Sequence, residues 1–109
     1  MSDENDIYVN IVDDDGMCAW YNRDEDSGET FLHSATELVD WNTDEFAGTP
    51  LKSVEAARKA GSSARSLASW NGARRPRVRY YQYVGYKQVE VKFTKDGHVE
   101  TASFRRKTV

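Results

Sequence analysis

Cysteine occurs once, at Cys18, and proline twice, at Pro50 and Pro76. A lone thiol excludes an internal disulfide framework, and nothing else in the chain calls for an oxidising compartment. Histidine is as scarce: His33, His98 and Cys18 form no metal-ligand spacing, so no zinc is expected. A phosphate-cradling glycine loop, a nucleophile elbow and a His and Glu pair at helical spacing are all missing. The chain is therefore read as non-enzymatic and without a cofactor. A catalytic site would have to be assembled in space, for instance from His33, Asp40 and Ser34. No apolar run approaches the roughly 20 residues of a membrane span. The acidic stretch Met1 to Asp6 has neither the basic nor the apolar part of a secretory signal, and a cytoplasmic location is expected.

Calcium fails on spacing. Asn22, Asp24 and Asp26 alternate as at the start of an EF-hand loop, but the glycine falls at Gly28 instead of the sixth position, and His33 stands where the bidentate Glu belongs. No metal is expected.

What the chain does have is one domain's worth of ordinary globular sequence. With 109 residues, 39% hydrophobic and 30% charged, it suits a single core over residues 7–106, with residues 1–6 as a disordered acidic N-terminus. Ile7 to Val12 alternates and is rich in β-branched types, which predicts a strand; Asp13-Asp14-Asp15-Gly16 turns it back into a second strand over Met17 to Asn22. Thr30 to His33 adds a short third strand. Ser34 with Glu37 makes a capping-box pattern ahead of a short helical turn. The clearest helix start is Thr49-Pro50, followed by an apolar face of Leu51, Val54, Ala57, Ala64, Leu67 and Ala68. Gly61 leaves open whether this is one helix of about five turns or two shorter ones, since glycine costs about 1 kcal/mol inside a helix. Trp70-Asn71-Gly72 closes it, and strands are predicted over Arg77 to Val84, with a bulge or bend at Gly85, over Gln88 to Thr94, and, after the Lys95-Asp96-Gly97 turn, over Val99 to Phe104. The order ββ(β)-α-βββ implies an α+β fold: an antiparallel sheet of about five to six strands with one main helix packed on one face.

Charge is the most informative feature. Residues 1–55 carry fifteen Asp and Glu against Arg23 and Lys52, a balance of −13. Residues 56–109 carry thirteen Lys and Arg against Glu90, Asp96 and Glu100, a balance of +10. Halves that stay apart in space would make a strong dipole, whereas interleaved halves would neutralise each other.

Two binding surfaces follow. Asp13, Asp14, Asp15, Asp24, Glu25, Asp26, Glu29, Glu37, Asp40, Asp44 and Glu45 are candidates for an acidic face that imitates nucleic-acid phosphates. Such a face would contact, and inhibit, a protein complex that handles nucleic acid, as small anti-defence proteins of phages and mobile elements do in a host cytoplasm. This is the leading expectation. The alternative is direct binding of single-stranded nucleic acid by Arg74, Arg75, Arg77, Arg79, Tyr81, Tyr83 and Lys87, whose guanidinium groups and rings suit phosphates and bases. Against it, the sequence pI of 5.3 lies far below the basic value usual for nucleic-acid domains. Several strands also mean sheet edges, which suit a homodimer, and complementary acidic and basic faces suit head-to-tail association.

Overall fold

The computed structural model describes residues 5–16, 18–34, 48–84 and 87–101. Within them lie strands β1 (Tyr8–Val12), β2 (Cys18–Arg23), β3 (Thr30–Ser34), β4 (Arg77–Val84), β5 (Lys87–Phe93) and β6 (Val99–Thr101), and helix α1 (Val54–Trp70). The strands form one antiparallel sheet in the order β3-β2-β1-β4-β5-β6, with α1 packed against it. This is the expected α+β architecture, third strand included. The capping-box segment after Ser34, Gly85 and the predicted end of the last strand lie outside the described residues.

The strand order sorts the charge. Strands β1 to β3 belong to the acidic half of the chain and β4 to β6 to the basic half, so the sheet consists of two three-stranded meanders joined along β1 and β4. The halves thus lie side by side, and they meet in ion pairs at one end of the seam.

Alternation in the strands divides the core between two faces. Toward α1 point Val9 and Ile11 of β1, Tyr21 of β2, and Val78 and Tyr80 of β4, which pack with Ala60, Ala64 and Ala68 of the helix. The small residues on that helical stripe bring α1 close to the sheet. Tyr8, Asn10, Trp20 and Tyr83 alternate to the other face, yet they are buried too. There the Tyr8 and Tyr83 rings meet edge to face at 5.0 Å. Asn10 Nδ2 donates to Cys18 Sγ at 3.2 Å. Asn10 Oδ1 and Trp20 Nε1 are buried without hydrogen-bond partners, at a typical cost of about 1–3 kcal/mol each. With both faces covered, β1 is buried over nearly its whole length.

The helix begins later than Thr49-Pro50 predicts. Its N-cap is Ser53, whose hydroxyl accepts from the Ala56 N–H at 3.1 Å. The preceding residues are used by the sheet instead. Leu51 exchanges backbone hydrogen bonds with Ile7 at 2.9 and 2.8 Å. Thr49 donates its N–H to Tyr21 O at 3.1 Å and accepts from the Arg23 N–H at 2.8 Å through its side chain. These bonds require extended backbone, so they outweigh the capping preference of Thr49. Beside them, Lys52 Nζ reaches Asp6 Oδ1 at 2.7 Å. Of the segment expected to be a disordered terminus, residues 1–4 lie outside the described residues, while Asp6 is buried.

The helix runs unbroken through Gly61. A Cβ on that residue would stand 2.6 Å from the Tyr80 hydroxyl and 2.9 Å from Val78 Cγ1. Glycine there lets β4 pass beneath the helix, a requirement of packing that outweighs helical propensity. The helix ends at the Asn71 cap, with Gly72 at φ 93°.

Candidate nucleic-acid interface

The acidic residues do not gather on one described surface. Asp13, Asp14 and Asp15 form the β1–β2 turn and Asp24, Glu25, Asp26 and Glu29 the β2–β3 turn; these turns lie at opposite ends of β2, whose six residues span about 20 Å. Glu37, Asp40, Asp44 and Glu45 lie outside the described residues.

At the β1–β2 turn the carboxylates serve the fold. Asp13 is buried; its Oδ1 accepts from the Asp15 N–H at 3.0 Å and its Oδ2 from the Arg74 N–H at 3.3 Å. Asp14 is held by Arg77 at 2.8 Å and by Arg75, and the Asp14 N–H donates to Arg74 O at 3.0 Å. Hydrogen bonds from Arg77 and then Arg75 hold the Asp14 carboxyl below its ordinary pKa. Arg74 lies 3.7 Å from Asp15. The turn is therefore clamped to the α1–β4 connection, and three of the predicted phosphate-binding arginines, Arg74, Arg75 and Arg77, are engaged there.

The β2–β3 turn is different. Asp24 builds it, accepting from the Asp26 and Ser27 N–H groups at 2.9 and 3.4 Å. Glu25, Asp26 and Glu29 are exposed, and among the described residues none has a cation within ion-pair distance.

The predicted Arg and Tyr strand face exists, on the side of β4 away from α1. Tyr83 is buried, however, and Tyr81 is half-buried against Trp20, with ring centroids 5.4 Å apart. Burial raises the Tyr81 pKa, partly offset by a hydrogen bond with Arg79. Tyr83, so enclosed, presents little surface for a base. The side chain of Lys87 lies outside the described residues.

A second arrangement lies on the helix side. Helix α1 covers β1 to β4, leaving a step where the sheet continues into β5. Arg58, Ser62 and Arg65 follow one another at helical spacing along the wall of this step. Its floor is Val78, Tyr80, Val91 and Phe93, with the Tyr80 and Phe93 rings 4.4 Å apart. Two neighbouring hollows, of about 320 and 460 Å³, lie along the step and share Val78 and Tyr80 in their walls. Arg58 is fixed over the Phe93 ring at 5.6 Å and donates to Thr94 O at 3.0 Å. Among the described residues neither Arg58 nor Arg65 has a carboxylate within ion-pair distance, although Glu90 also lines the hollow beside Arg58. Burial raises the Tyr80 pKa, with Arg58 acting in the opposite sense.

Sequence reasoning passed over Arg58, Arg65, Tyr80 and Phe93. A signal was present: Arg58, Ser62 and Arg65 at i, i+4 and i+7 flank the small-residue stripe that must face the sheet. Among the described residues no cluster of three His, Cys, Asp or Glu side chains could hold a metal ion, and no helix is long and apolar enough to cross a membrane. Compared with protein-family models, curated proteins and solved structures, the chain matches none.

Proposed function

We propose that the protein is a non-catalytic binding module that seats single-stranded nucleic acid in the groove between α1 and strands β4 and β5. The observation that carries this reading is a pair of arginines that have no carboxylate partner among the described residues, above an aromatic floor. Seven residues apart on one helical row, Arg58 and Arg65 stand about 10 Å from each other along the axis, a separation that a flexible phosphate backbone can bridge. The half-buried Tyr80 and Phe93 rings, with Arg58 over Phe93, supply aromatic contact for a base where they are exposed, and such contact is tolerant of sequence. The basic meander around the groove adds steering, while the acidic meander repels phosphate and restricts where a strand can lie.

Fluorescence anisotropy with labelled single-stranded DNA and RNA, titrated with salt, tests this. Binding is expected at low salt and should weaken as salt rises, because each neutralised phosphate releases counterions. Arg58→Glu with Arg65→Glu should lower affinity at least tenfold, and Lys59→Glu, which alters net charge outside the groove lining, much less. No binding at low salt, or binding indifferent to the double reversal, would overturn the reading.

The β2–β3 turn favours a second reading, contact with a basic surface on a protein that handles nucleic acid. It rests on the exposed carboxylates of Glu25, Asp26 and Glu29, which have no cation partner among the described residues.

A further inference from the structure

We infer that the groove also receives a second copy of this chain, through that copy's β2–β3 turn, so that the protein associates head to tail. The inference rests on the charge of the groove and not on nucleic acid being its ligand. Three observations carry it.

The surfaces are complementary: among the described residues Arg58 and Arg65 line the groove without carboxylate partners, and Glu25, Asp26 and Glu29 stand exposed on the turn without cations. They are also kept apart within one molecule. The turn joins β2 to β3 at one side of the sheet, whereas the groove lies over β4 and β5, with β1 between them. One copy therefore cannot satisfy its own groove. Finally, the chain already uses this pairing internally, where Arg75 and Arg77 grip Asp14 across the seam.

Because the two surfaces differ, the contact is heterologous and need not close on a two-fold axis, so assembly should grow with concentration. Its ion pairs sit at an exposed rim, where salt screens them.

Sedimentation velocity on the full chain tests this with two variants. One carries Glu25→Lys, Asp26→Lys and Glu29→Lys, sparing Asp24, which holds the turn together. The other carries Arg58→Glu and Arg65→Glu. Circular dichroism matching the wild type establishes that each is folded. The wild type should show average mass rising with concentration at low salt and returning to the monomer at about 0.5 M salt, where the screening length is only a few ångströms. Each variant alone should remain monomeric. An equimolar mixture should recover association, because each reversed surface then meets its complement on the other variant. A monomeric wild type at low salt, association of either variant alone, or a mixture that stays monomeric would overturn the inference. The anisotropy assay separates the two proposals: association without nucleic-acid binding removes only the proposed ligand, and nucleic-acid binding by a strictly monomeric protein removes only the second copy.

Discussion

Gly61 lies where the helix approaches β4 closely, and its effect on stability combines two opposing quantities. Alanine would gain about 1 kcal/mol of helical propensity. It would also place a methyl group against the Tyr80 hydroxyl and Val78, and overpacking of this kind typically costs about 1–3 kcal/mol. Gly61→Ala is therefore expected to lower the urea midpoint, by a net loss of up to about 2 kcal/mol. Adding Tyr80→Phe removes the nearest atom and should return part of the loss. A more stable Gly61→Ala protein would mean that the helix can ride away from β4 at no cost. The same residue shows why a local rule misleads here: glycine weakens an isolated helix, and only the packed sheet explains why one is needed.

Between elements, the clamp joining the β1–β2 turn to the α1–β4 connection makes a pH prediction. Asp14 has a depressed pKa in the folded protein because Arg77 and Arg75 donate to its charged form. Its contribution to stability is thus present above the unfolded carboxylate value, and is lost as pH falls through the lower folded value. Urea midpoints measured from pH 7 down to pH 3 should fall less steeply in Asp14→Asn than in wild type. Identical profiles would show that the arginines do not favour the ionised carboxylate. The strands either side of this clamp were legible in the sequence, since alternation in Ile7 to Val12 and the Asp13 to Gly16 turn are short-range signals. The start of α1 was not, because what displaces Thr49 from a capping role is a partner far along the chain, Tyr21 and Arg23. The candidate groove was illegible for a related reason. Alternation correctly placed Arg77, Arg79, Tyr81 and Tyr83 on one face of β4, but it could not tell which face lay under the helix, or that Asp14 would engage Arg77. Tyr80, between them in sequence, faces the helix side.

At the scale of the molecule, burial on both faces makes β1 the centre of the fold. Amide hydrogen exchange should be slowest in β1, where neighbouring strands on either side satisfy the backbone, and faster in β6, which is three residues long and lies at the end of the sheet. Comparable rates in the two strands would contradict a core organised around β1. The strand order carries a kinetic consequence as well. Each strand pairs with its neighbour in sequence except at the β1 and β4 seam, where Val12 meets Arg77. Among the strand pairings described, that seam closes the longest loop, so loop-closure entropy falls most heavily on it. The fragments brought together there carry opposite charge, so the encounter that completes the sheet is the one electrostatic attraction accelerates, and the speed of folding should itself depend on ionic strength.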